Sequence, residues 1–182
     1  RRHDLLAMLR WHLPTLNQLL GAPLKRLLIA SAGDPMWRGG LSASSSVFLH
    51  ADRPLISEDG TSPLLHELMH VALRVRSRHG SDWIVEGLAE LYSLELLRRA
   101  GTFDEQRFQS AIDRMARRGG SVPERGKSST GTTSTRAAVV LHELDLEIRE
   151  RTGQSKSLDH VVRALAERRG GLTTDEFRAL AE

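Results

Sequence analysis

The stretch Thr61-Ser62-Pro63-Leu64-Leu65-His66-Glu67-Leu68-Met69-His70-Val71-Ala72-Leu73 reads as a helix that carries a polar seam. A Ser/Thr pair followed by Pro marks a helix start, because the hydroxyl caps open N–H groups and Pro fits the first turn. Inside it, His66 and His70 stand four residues apart, about 40° around the axis. Both imidazoles therefore face one side and can share a cation. Glu67 lies beside the first of them, about 100° around. In an H-E-x-x-H helix the metal acidifies water and the glutamate is placed to take the proton.

The pattern fixes three residue identities, and a second stretch extends it. Trp83-Ile84-Val85-Glu86-Gly87-Leu88-Ala89-Glu90 begins a new helix after a turn at His79-Gly80-Ser81. An antiparallel return would bring Glu86 toward the histidine pair. Two His and one Glu leave a fourth tetrahedral position open, the arrangement of catalytic rather than structural zinc. Glu90 is one turn further along and is placed to accept the free ring N–H of a ligand histidine. The expected site is one Zn2+ ion held by His66, His70 and Glu86, with Glu67 as general base.

Outward from this pair the chain divides unevenly. Residues 4–20 have helical spacing with Pro14 inside, which predicts a kinked or divided helix. Lys25–Ala30 and Val47–His50 read as short strands, with a Gly/Ser-rich loop or irregular edge over Asp34–Ser46. From Pro63 onward, helices are expected at 63–78, 82–100, 104–118, 136–152, 158–169 and 173–181. Thr102 or Asp104 is the expected cap of the third, and Thr174 with Asp175 or Glu176 of the last. Gly119–Thr135 reads as a flexible loop, or functionally as a lid. The class is α+β, predominantly helical. The expected organisation is a single catalytic domain over 1–182, with a helix and edge-strand lobe over 1–62 and a helical lobe carrying the zinc site over 63–182.

Composition narrows the chemistry. The chain has 182 residues, 40% hydrophobic and 27% charged, and no cysteine. Disulfides and thiolate metal sites are thereby excluded, leaving His, Asp and Glu as ligands. No apolar run reaches the roughly 20 residues of a membrane span. The net charge of +3 raises nucleic acid as a partner. The arginine pairs 98–99, 117–118 and 168–169 argue against it, since each closes an apolar-periodic segment just before glycine, the usual helix stop. No nucleic-acid partner is expected.

His66-Glu67-Leu68-Met69-His70 followed by Trp83-Ile84-Val85-Glu86-Gly87-Leu88-Ala89 resembles the gluzincin metallopeptidases, whose third ligand is the Glu of a W-x-x-E-G-x-A segment. More closely, the chain resembles the catalytic domain of the glycyl-aminopeptidase family, peptidases often joined to a PDZ domain. Asp34-Pro35-Met36-Trp37-Arg38-Gly39-Gly40 leading to Val47-Phe48-Leu49 resembles that family's glycine-bearing edge strand. Ala137–Arg151 and the stretch from Ser157 resemble its helical half. The resemblance implies a thermolysin-like fold with a small strand-containing N-terminal lobe, peptide hydrolysis, one zinc ion and a peptide or protein substrate. It implies substrate contacts at Gly39 and Gly40 and an exported, periplasmic or extracellular location.

Two departures set the expectations apart from the family's pattern. Relatives carry an oxyanion-stabilising Tyr just before the helix that begins here near Arg136, where this chain has Ser134-Thr135-Arg136. Arg136, His142 or a loop hydroxyl is left as the substitute donor; the single tyrosine, Tyr92, reads as core or rim. The stretch Gly39–Ser46 also lacks the acid that holds a free amino terminus in this clan. The competing reading is a zinc-retaining pseudopeptidase or peptide-binding module.

Overall fold

A computed structural model of the chain describes residues 1–33, 39–78, 80–118, 131–168 and 170–182. The lead-in Asp34–Arg38, His79, Arg169 and residues 119–130 of the expected Gly119–Thr135 loop or lid lie outside the described residues. The elements run α1 (Arg2–Leu20), β1 (Leu28–Ala32), β2 (Gly40–Ala43), β3 (Ser46–His50), α2 (Pro63–Leu73), β4 (Arg76–Ser77), α3 (Asp82–Arg99), α4 (Glu105–Arg118), α5 (Gly131–Arg151), α6 (Leu158–Glu167), β5 (Gly171–Leu172) and α7 (Thr174–Ala181). The architecture is α+β and mostly helical. No helix among the described residues is long and apolar enough to cross a membrane.

Two compact units partition the chain, Arg1–Ala72 with Tyr92–Ala111, and Leu73–Leu91 with Ile112–Glu182. In the first, the sheet has the order β1-β3-β2, with β1 parallel and β2 antiparallel to β3. Alternation along β3 sends Val47 and Leu49 inward, where they cluster with Leu5 of α1 and with Leu64 and Val71 of α2. Ile29, opposite Val47, packs on the same cluster. His12 of α1 is buried and bridges Met8 O (2.7 Å) and Thr102 Oγ1 (3.0 Å). Burial lowers its pKa, partly offset by the bond to Met8. The imidazole is thus held neutral, with Nδ1 donating to the carbonyl and Nε2 accepting from the hydroxyl.

In the second unit, Ala137, Ala138 and Leu141 of α5, Val161, Val162 and Leu165 of α6 and Phe177 of α7 are buried. The α7 start is held by a reciprocal capping box: Glu176 N–H donates to Thr173 Oγ1 (3.3 Å) and Thr173 N–H to Glu176 Oε2 (2.8 Å). The cap is therefore Thr173, not Thr174. For α4 the cap is Asp104, which accepts from Arg107 N–H at 2.7 Å.

Several boundaries correct the sequence reading. α1 runs unbroken through Pro14 and closes at Gly21 (φ 68°); it is not divided. α2 ends at Leu73 instead of residue 78, because Arg74 takes a left-handed φ of 54°. Residues 76–77 then pair with β5 in parallel. β1 lies three residues later at its start than expected. Gly40–Ala43, a loop or irregular edge by composition and part of a glycine-bearing edge strand by the family resemblance, is a strand at one edge of the described sheet. α5 begins at Gly131, five residues early, with Thr135 Oγ1 bonded to Gly131 O.

Candidate metal centre

α2 is enclosed on almost every side. Leu64, Leu65, Leu68 and Met69 are fully buried, and Val71, Ala72 and Leu73 nearly so. The residues left half-exposed are Pro63, His66, Glu67 and His70. Spacings of three and four put them on one strip. The helix start is fixed as expected: Ser62, itself buried, accepts from Leu65 N–H at 3.3 Å, and its carbonyl takes His66 N–H at 2.9 Å. A capped, buried helix is a rigid platform for the polar side chains it presents.

On that strip the two imidazoles converge. Nε2 of His66 and Nε2 of His70 are 3.1 Å apart, and the rings meet edge to face at 70°. Glu86 of α3 completes the group: His66, His70 and Glu86 are half-buried, and each offers a ligand atom within 4.8 Å of the others. Among the described residues no other cluster of this kind occurs. Glu90 and His142 lie outside it. Both are half-buried, as is Arg136 in the second turn of α5.

Local sequence explains the placement of the neighbouring residues. α3 carries Gly87 directly after Glu86, and a Cβ there would stand 2.7 Å from Ala137 Cβ and 3.0 Å from the Ala137 carbonyl carbon. The glycine thus permits close approach of α3 and α5. A second glycine does similar work at the sheet. Gly40 of β2 faces Glu67: a Cβ at Gly40 would lie 2.9 Å from Glu67 Cγ and 3.0 Å from Oε1. Gly39 is committed to the sheet, its carbonyl accepting from His50 N–H at 3.1 Å. Sequence reasoning assigned these two glycines to substrate and missed the Gly40–Glu67 contact. Its one signal was a side-chain-free residue entering a strand, which marks close approach by another group. Tyr92 is 2% exposed, with the Arg99 guanidinium 5.7 Å from its ring centroid. It is core.

The M61 glycyl aminopeptidase family model matches residues 64–157, a span that holds His66, Glu67, His70 and Glu86. The chain belongs to the M61 glycyl aminopeptidase family. No curated protein matches this M61 chain. Among solved structures, an aminopeptidase N family protein from Idiomarina loihiensis aligns with a TM-score of 0.68 at 16% identity, over 90% of this chain and 36% of that one. At that identity the likeness establishes a shared fold, and the M61 chain spans about a third of the neighbour's length.

Proposed function

We propose that this M61 chain hydrolyses peptide bonds, with one zinc ion held by His66, His70 and Glu86 and Glu67 as general base in a thermolysin-like, gluzincin arrangement. The observation that carries the reading is the 3.1 Å separation of the His66 and His70 Nε2 atoms. Two imidazole nitrogens on one tetrahedral zinc, each at roughly 2.0–2.1 Å, lie about 3.3 Å apart. The donor set of two imidazoles and a carboxylate suits zinc and leaves a position open. When bound, zinc supplies Lewis acidity, which makes water acidic near neutral pH and polarises a carbonyl.

The chain's own residues do the rest. The Glu67 carboxylate takes a proton from the attacking water and returns it to the leaving amine nitrogen. Glu90, one turn beyond Glu86, accepts the second ring N–H of a ligand histidine and fixes its tautomer. Among the described residues β2 pairs with β3 alone, and a peptide backbone added along its other side would be presented as an extra strand. Gly39–Ser46 offers no carboxylate for a free amino terminus, so the reading does not require an exopeptidase.

A second reading is favoured by one observation. With Tyr92 in the core, the oxyanion donor falls to Arg136, His142 or a loop hydroxyl, or is lacking. Loss of one such donor costs roughly 100- to 1,000-fold, and a chain without any is a zinc-retaining pseudopeptidase or peptide-binding module. Mass spectrometry of a peptide library with free and blocked amino termini, incubated with zinc-loaded and chelated protein, separates the two. Cleavage only with zinc supports the peptidase; zinc bound without cleavage supports the alternative.

A further inference from the structure

We infer that Gly40 is a positioning residue for Glu67: the missing side chain at this point of β2 forms the slot in which the carboxylate lies. Carbon atoms in contact sit about 3.5–4.0 Å apart. A Cβ at position 40 would meet Glu67 Cγ at 2.9 Å, Oε1 at 3.0 Å and Cδ at 3.3 Å. Something must yield by roughly 0.5–1 Å. β2 is held from behind, because Gly40 is in register with fully buried Leu49 and the adjacent Gly39 carbonyl is bonded to His50. α2 is held by the Ser62 cap and by four enclosed side chains, Leu64, Leu65, Leu68 and Met69. The rotatable, half-buried Glu67 side chain is what remains free to move.

Backbone conformation gives no competing reason for a glycine here. Gly40 is not among the glycines with positive φ, so an L-residue fits the strand itself. The requirement is steric, and it comes from Glu67. Position 40 therefore fixes where the base stands beside His66, and a peptide backbone paired along β2 would use main-chain groups that a substitution at Gly40 leaves in place. The catalytic consequence rests on the proposed peptidase reading; the steric slot does not.

The test pairs crystal structures of the wild-type and Gly40→Ala chains, both metal-free, with steady-state kinetics of the zinc-loaded proteins. In the variant the β2 and α2 backbones superpose on wild type while the Glu67 carboxylate is displaced. A misplacement approaching 1 Å costs up to about 100-fold, so kcat falls by about 10- to 100-fold with KM and zinc content unchanged. In a Glu67→Gln background, where no base is left to misplace, Gly40→Ala costs nothing further. An unmoved Glu67 beside a displaced β2, a loss confined to KM, or an equal loss in both backgrounds overturns the inference. If wild type cleaves no peptide, the peptidase reading falls, and the position of Glu67 in the two crystals still decides the steric claim.

Discussion

Replacing Gly87 by Ala sets two physical effects of opposite sign against each other. Gly87 is inside α3, and Ala in a helix interior is favoured over Gly by about 1 kcal/mol. Against this stands the contact with α5: the new Cβ would lie 2.7 Å from Ala137 Cβ, 2.9 Å from Leu141 Cδ1 and 3.0 Å from the Ala137 carbonyl carbon. The shortest falls about 1 Å inside an ordinary carbon–carbon contact. Leu141 can rotate away. Ala137 cannot, because its Cβ has no rotamer and its carbonyl carbon is helix backbone. Relief then requires α5 to move, and overpacking of this kind costs about 1–3 kcal/mol, with backbone involvement pushing toward the upper end. The net expectation is a loss of about 1–2 kcal/mol, or ~2–8 °C in Tm for a chain of this length. Thermal unfolding by circular dichroism measures it. Gly131→Ala is the control, since a Cβ there meets nothing within 4 Å; its Tm does not fall. A rise in Tm for Gly87→Ala would mean that propensity wins and that the helices are not in close contact at this point.

Three further outcomes are expected. His12 is buried with a lowered pKa, so the unfolded chain binds its proton more readily; the stability this confers is complete above the ordinary value of 6.5 and declines as pH falls below it. Tm measured across that range declines more steeply for wild type than for His12→Gln, and parallel curves would refute the assignment. Glu95 Oε2 accepts from Arg98 Nη2 and Arg99 Nε, both at 2.8 Å. Allowing for the partial exposure of both arginines, Glu95→Gln lowers the urea midpoint by the equivalent of about 1–2 kcal/mol at unchanged slope, and an unchanged midpoint would show the pair contributes nothing. Gly40→Ala is expected to lower kcat and leave KM in place in steady-state assays, and a loss confined to KM would refute the positioning role.

The helical half was legible because its signals are local. The Ser62-Pro63 start, the Asp104 cap and the arginines ahead of Gly101 are each read from neighbouring residues, and Gly101 does close α3 with φ 73°. The convergence of His66 and His70 was equally local, a consequence of four-residue spacing on one helix. What the sequence hid is long-range. Nothing near Arg76 announces a pairing with Gly171, and Arg74-Val75-Arg76-Ser77 holds no glycine or proline to mark the end of α2 at Leu73. β2 has the composition of a loop and becomes a strand because β3 offers it a partner with a buried face; strand formation answers to that context more than to propensity. The early start of α5 runs through Gly131, Thr132 and Thr133, residues of low helix propensity, and buried Thr133 and Ser134 show packing taking precedence. The Gly40–Glu67 contact joins β2 to α2 across a stretch of chain that no periodicity spans.

The most direct test of the central claim is the rate of peptide cleavage by wild type and Glu67→Gln at equal, measured zinc content. Gln preserves the shape of the side chain against Gly40 and removes its ability to take a proton. A positioned general base contributes about 100- to 10,000-fold. The account predicts one zinc per chain in both proteins, cleavage by wild type, and a loss of at least ~100-fold in the variant. Equal rates in the two proteins, or no zinc retained by wild type, would contradict it.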